Sequence, residues 1–217
     1  MIKKNYLAIY AKSFNWAGFF LPRDTYEECL KLYTFCRILD DVADSDQDIE
    51  IKKKRFNEIK DIIKLYDELT KKYETRFTDN QNILIINDML ALTEKKYIKR
   101  IILNDLIEGI ESDLKKEVNF STIKELLVYS YKVAGTVGLM MAKILNVKNS
   151  RALKGAIDLG IAMQLTNIAR DVVEDQKIGR KYIDQDFKNI QTTLKLADTF
   201  YESSFSSIKK IPFRFRF

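Results

Sequence analysis

At 217 residues, the chain fits one domain that can bury a sizeable core without disulfides or a structural metal. It contains no histidine, which excludes His-based zinc sites, Ser-His triads and His general bases and leaves carboxylates, Lys, Arg, Tyr and bound ions to carry any chemistry. The net charge of +6, from 37 Lys and Arg against 31 Asp and Glu, is spread over both signs along the sequence, which is ordinary solvation and not a nucleic-acid footprint.

No segment approaches the ~20 apolar residues of a membrane span, and the start, Met1-Ile2-Lys3-Lys4-Asn5, lacks the long apolar stretch of a secretory signal. The expectation is a cytoplasmic protein, with peripheral contact to a membrane surface where the substrates are greasy. Cys29 and Cys36 lie in an apolar stretch and read as reduced core residues.

Proline occurs only at Pro22 and Pro212, with seven glycines, so the punctuation of hairpins and long loops is nearly missing and the chain reads as all-α. A helix starts at Asp24, and Leu30, Tyr33, Phe35, Ile38 and Val42 recur on its core face. Toward its end stands Cys36-Arg37-Ile38-Leu39-Asp40-Asp41-Val42-Ala43-Asp44. Helical spacing puts Arg37, Asp40 and Asp44 on one stripe with Asp41 beside it. Like charges so placed repel, and the stripe calls for a compensating cation.

Small polar residues at 45–47 and 78–81 break the helical pattern, and the basic run 52–55 between them is an exposed helix face. A further helix starts at Ser121. Beyond it, Ala134, Gly135 and Gly138 serve either close helix contacts or a bend beside a ligand, since glycine within a helix costs about 1 kcal/mol against alanine. Met140 and Met141 read as core packing, and a break follows at 146–150.

The next apolar face, Leu153, Ile157, Gly160, Ile161, Leu165 and Ile168, leads into Gln164-Leu165-Thr166-Asn167-Ile168-Ala169-Arg170-Asp171-Val172-Val173-Glu174-Asp175. Gln164, Asn167, Asp171 and Asp175 share one helical stripe. Taken alone, each acidic set reads as a solvated helix end paired with a neighbouring Arg or Lys. Two such sets, the second aligned with Gln164 and Asn167, argue instead for a binding face. Its donors are all oxygen, which suits a hard cation such as magnesium, and magnesium takes one or two carboxylates together with phosphate oxygens. Arg37, Arg170, Arg180 and Lys181 are placed to neutralise the remaining phosphate charge.

These two motifs, with Gly179-Arg180-Lys181-Tyr182 after the second, resemble the squalene/phytoene synthase family, the head-to-head trans-isoprenyl diphosphate synthases. Lys12-Ser13-Phe14, Phe19-Phe20-Leu21-Pro22 and the run from Tyr129 through Gly138 are similar to the family as well. The resemblance implies an isoprenoid synthase, a terpene synthase-like helical bundle around a central cavity, with magnesium, or manganese as an alternative, between the acidic motifs. It implies residues 1–217 as a single domain of this type. By position, Asp40, Asp44, Asp171 and Asp175 are metal ligands and form the catalytic set with Tyr129 and Arg170. Ser13, Phe14, Arg37, Asp41, Gln164, Asn167, Arg180 and Tyr182 line the sites for the diphosphates and the carbocation.

The second motif looks most like the bacterial phytoene branch, which implies two geranylgeranyl diphosphates joined to 15-cis-phytoene without NADPH. Squalene or dehydrosqualene synthesis from farnesyl diphosphate is the runner-up, and a non-catalytic assembly factor on the same fold is the alternative of another class. Two departures stand out. Ile183 leads to Asp184 where the family continues toward proline, and the chain stops at Phe217 where the family continues through further helices. The expectation is therefore a C-terminally short domain whose Phe213, Phe215 and Phe217 lack an obvious partner.

Overall fold

The structure, a computed structural model, describes residues 16, 18, 20–68, 81–115 and 117–208. Ser13, Phe14, most of the break at 78–81 and the aromatic end at 213–217 lie outside the described residues. The fold divides into two compact units between Arg100 and Ile101.

In the first unit, α1 (Arg23–Ala43), α2 (Ile49–Glu68) and α3 (Gln81–Lys95) pack on one another. Helix α1 begins one residue earlier than the sequence suggests, directly after Pro22, whose carbonyl accepts from the Tyr26 amide at 2.9 Å. Its buried stripe runs through Cys29, Leu32, Phe35, Ile38, Leu39 and Val42, so Leu30 and Tyr33 flank the core face instead of forming it. Phe56, Ile59 and Ile63 from α2 and Ile86, Met89 and Leu90 from α3 are also buried. Full burial of such side chains stabilises a fold by roughly 1.5–3 kcal/mol each. Lys53, Lys54 and Arg55 lie exposed on α2, as their solvated reading requires.

Among the described residues of this unit, one carboxylate is buried. Glu28 receives the ammonium groups of Lys95 at 2.8 Å and Lys96 at 2.7 Å. Burial pushes its pKa up, yet the two lysine hydrogen bonds outweigh burial and leave it below the ordinary carboxylate range. Both cysteines are free thiols, and burial raises both, Cys29 to about 11, which makes them inert.

The second unit contains α4 (Arg100–Glu111), which starts at the boundary, a 3₁₀ turn at Ser112–Leu114, β1 (Val118–Asn119), α5 (Ile123–Ser130), a π-helical stretch at Tyr131–Gly135, α6 (Thr136–Ile144), α7 (Ser150–Arg170), α8 (Val172–Lys177), β2 (Arg180–Lys181) and α9 (Phe187–Ile208). Thr122, not Ser121, caps α5. Its hydroxyl accepts from the Glu125 amide while the Glu125 carboxylate accepts from the Thr122 amide, a reciprocal capping box.

Helix α7 is the centre of this unit, packed against α6, the π-helical stretch and α9. A Cβ on Gly138 would fall on the Ala156 carbonyl, and one on Gly160 on the Ala134 carbonyl. Close helix contact therefore accounts for the small residues around 134–138. Met140 is fully buried, in keeping with core packing. On the α9 side, buried Asp158 takes Lys154 at 2.8 Å and the Ser203 hydroxyl at 2.6 Å.

β1 and β2 pair in parallel, Val118 with Arg180 and Asn119 with Lys181. Gly179, at φ 82°, makes the left-handed turn that feeds β2. This short ladder sets Phe120 and Tyr182 side by side at its end. No helix among the described residues is long and apolar enough to cross a membrane.

Candidate active site

The first acidic motif occupies the last two turns of α1. Asp44 closes the helix, its amide donating to the Asp40 carbonyl at 2.8 Å, and the last turn holds no basic residue. Three carboxylates thus crowd the end of a helix whose macrodipole is already negative there. Two cations offset this in part. Lys52 Nζ donates to the Ala43 carbonyl at 2.9 Å, and Arg37 Nη2 lies 2.7 Å from Asp41 Oδ1. Arg37 thus pairs with Asp41, the carboxylate beside the Asp40 and Asp44 stripe. Asp40 is half-buried and Asp44 exposed.

The second motif departs from the continuous helix that its spacing suggests. Asp171, at φ −99° and ψ 13°, ends α7 and starts α8. The hydrogen bonding nevertheless carries across this bend, because the Asp171 amide reaches the Asn167 carbonyl at 2.8 Å and the Asp175 amide reaches the Asp171 carbonyl at 2.9 Å. Gln164, Asn167, Asp171 and Asp175 are all half-buried.

Arg170 grips Asp171 with two hydrogen bonds of 2.6 Å each, Nε to Oδ1 and Nη2 to Oδ2. That contact holds the Asp171 carboxyl below its ordinary pKa. Asp175 moves the other way. Burial raises it, the Arg180 guanidinium opposes, and Asp171, Asp113 and Glu174 add to the rise. A carboxyl so placed favours a nearby cation.

Lys181 pairs with Asp184 at 2.6 Å, and the Asp184 carbonyl accepts from the Asp186 amide at 2.9 Å. This turn accommodates Ile183 and Asp184 without proline.

The four acidic positions fit a hard divalent cation chemically, being carboxylates only, in an acidic helix end and a bend with an elevated carboxyl. Within each unit, no three described carboxylates or thiols cluster into a ready-made cage. Each motif offers a pair, which suits magnesium that brings its own phosphate and water oxygens.

The structure also brings together a group that sequence reasoning only half found. Tyr129, near the end of α5, stacks on Tyr182, just after β2, with centroids 4.8 Å apart and planes at 24°. Phe120 lies 5.3 and 5.5 Å from the two rings. The two hydroxyls are 2.9 Å apart, and Asp113 accepts from both, Oδ2 from Tyr129 at 2.8 Å and Oδ1 from Tyr182 at 2.9 Å. Burial, with the Asp113 carboxylate behind it, pushes both tyrosines far above the ordinary range, so their hydroxyls stay protonated. Asp113 carries no distinct signal in the sequence, because its neighbours Glu108, Glu111 and Lys115 make it read as one more solvated charge.

The chain is similar to known proteins over most of its length. The 15-cis-phytoene synthase of Pantoea ananas is 33% identical over 186 residues, covering 82% of this chain and 57% of that protein. The phytoene synthase of Cereibacter sphaeroides is 34% identical over 182 residues, covering 81% of this chain and 48% of that one. The 4,4'-diapophytoene synthase of Staphylococcus haemolyticus is 36% identical over 174 residues, covering 80% and 58%. The chain thus spans about half the length of these curated relatives.

Among solved structures, a dehydrosqualene synthase in complex with ligand superposes with a TM-score of 0.72 at 26% identity, covering 96% of this chain and 76% of the other. Squalene synthase HpnC from Alicyclobacillus acidocaldarius gives 0.75 at 15% identity over 96% and 82%, a likeness of fold alone. The all-α isoprenoid synthase fold expected from the sequence is the fold observed. Residues 7–211 match the family described as Squalene/phytoene synthase, and with both acidic motifs and the fold in agreement, the chain belongs to that family.

Proposed function

We propose that this protein joins two prenyl diphosphates head to head, and that its substrates are two geranylgeranyl diphosphates giving 15-cis-phytoene, a step of carotenoid biosynthesis. The observation that carries the reading is the pair of acidic helix ends, Asp40 with Asp44 on α1 and Asp171 with Asp175 at the bend between α7 and α8, in a chain whose relatives include phytoene synthases. Asp40, Asp44, Asp171 and Asp175 would hold magnesium, with manganese as the alternative. Bound there, the metal draws charge from a diphosphate and makes it a better leaving group.

The protein's own side chains do the rest. Arg37, Arg170 and Arg180 supply fixed positive charge to diphosphate oxygens, acting as preorganised electrostatic partners. Asp41 holds Arg37 in place. Gln164 and Asn167, on the turns of α7 before the bend, orient the diphosphate, and Ser13 and Phe14 belong to the same binding set. The stacked Tyr129 and Tyr182 offer π faces and protonated hydroxyls to a cationic intermediate, and their apolar surroundings keep water from it. No NADPH enters this reading. The protein works in the cytoplasm, with contact to a membrane surface through its lipid-like substrates.

The test is product analysis by mass spectrometry after supplying geranylgeranyl or farnesyl diphosphate separately with magnesium. Phytoene from the former, with little coupled product from the latter, supports the reading. Coupled product only from farnesyl diphosphate overturns the substrate assignment, and no product from either overturns the activity.

A further inference from the structure

Asp113, Tyr129 and Tyr182 make a closed triangle of oxygens, with contacts of 2.8, 2.9 and 2.9 Å. When Asp113 is a carboxylate, two hydroxyl protons serve three contacts, so one contact always lacks a proton. Such an arrangement is poised to shift protons along itself. The parallel ladder holds Tyr182 in place from one side and the end of α5 holds Tyr129 from the other. Phe120 closes the aromatic face.

Coupling two prenyl chains to a phytoene-type hydrocarbon with loss of both diphosphates and no hydride donor requires that two carbon-bound hydrogens leave as protons, one for each diphosphate lost. A base must take each in turn, and the chain has no histidine. Tyr129 is not available as a phenolate, because burial and the neighbouring carboxylate keep it protonated. A neutral phenol is a feeble base unless it passes its own proton on as it accepts another. The oxygen placed to take that proton is Asp113 Oδ2.

We propose that Asp113 is the proton acceptor behind Tyr129 in the coupling reaction, and that it also holds Tyr182 in register. The inference rests on the head-to-head coupling proposed above. The cation's C–H bond breaks, its electron pair stays on carbon and quenches the positive charge, and the proton goes to the Tyr129 oxygen. The phenolic proton of Tyr129 passes simultaneously to Asp113 Oδ2. Asp113 is then a neutral acid, which returns its proton to a departed diphosphate or to water. Asp113 acts through Tyr129 and is thus a positioning and relay residue, not one that touches substrate.

The test compares wild type, Asp113→Asn and Asp113→Ala, each with magnesium and geranylgeranyl or farnesyl diphosphate. Asp113→Asn keeps the shape but loses the base, so kcat falls by about a hundredfold or more while KM changes little. Asp113→Ala falls similarly and recovers in part on addition of formate, a small carboxylate that fills the gap. Unchanged kcat in Asp113→Asn, or loss in both variants without any formate response, overturns the relay and leaves a structural role only. Should circular dichroism show either variant unfolded, single turnover of wild type in deuterated water reads the same transfer. Slowing supports the relay, and its absence overturns it. Wild type that forms no coupled product overturns the functional reading and the relay with it, whereas an active wild type with an indifferent Asp113 overturns the relay alone.

Discussion

Arg170, the last residue of α7, holds Asp171, the residue at the bend, by both carboxylate oxygens at 2.6 Å. The Arg170 side chain is exposed and that of Asp171 half-buried, so solvent screens the pair and it adds little to stability. Its consequence is electrostatic and directional, since a planar guanidinium fixes the carboxylate plane. Arg170→Gln is expected to leave the thermal midpoint nearly unchanged and to lower product formation on the order of a hundredfold, the usual scale for losing a preorganised charge partner. A melting scan beside an activity assay decides it, and full activity in the variant would remove Arg170 from the catalytic set.

Asp40→Asn and Asp171→Asn are expected to abolish product while helicity stays intact. For Asp40 the argument extends to stability. A carboxylate near a helix C-terminus opposes the macrodipole, and neutralising it returns about 0.3–1 kcal/mol. Urea unfolding of Asp40→Asn should therefore show equal or greater stability with no product. A variant both less stable and fully active contradicts the ligand assignment.

Magnesium together with a non-hydrolysable prenyl diphosphate is expected to raise the melting temperature, and either alone to do little. Stabilisation grows as RT ln(1 + [L]/Kd) for a ligand that binds only the folded state, and here the ligand is the joint assembly. An equal shift without metal points to a plain basic phosphate site.

Glu28 supplies a pH signature unconnected with catalysis. Its folded pKa lies below the ordinary value of 4.5, so the unfolded chain binds the proton more readily. The stability it contributes is complete above that ordinary value and drains away as pH falls below it, through the lowered folded pKa. Unfolding free energies measured from neutral pH into this acid window should fall less steeply in Glu28→Gln than in wild type. Parallel curves would show that Lys95 and Lys96 do not hold it.

Gly138→Ala tests the helix crossing. The added methyl would meet the Ala156 carbonyl, and backbone does not yield as a flexible side chain does, so a loss of at least about 1–3 kcal/mol is expected. Wild-type stability in this variant would mean that α6 and α7 have room to spare.

Much of this was legible in the sequence, for a physical reason. Helical periodicity and the near absence of proline dictate helices, and repeated Asp at helical spacing is conspicuous because repulsion makes it costly. Local hydrogen bonding was harder to foresee. Nothing in the spacing shows that Asp171 sits at a bend, because the i to i+4 bonds persist through it. Nor does composition show that Arg37 pairs with Asp41, since Asp40 at i+3 and Asp41 at i+4 both lie within its reach along the helix. Asp113 was illegible because its role depends on Tyr182, 69 residues away in sequence, and contacts of that span belong to tertiary structure.

The most direct test of the central claim counts diphosphate against hydrocarbon in one reaction, with magnesium and geranylgeranyl diphosphate, and again with the metal chelated. Both diphosphates should be released for each coupled hydrocarbon formed, and neither should appear once the metal is removed. Release of diphosphate without coupled hydrocarbon, or coupling that survives chelation, would contradict the account.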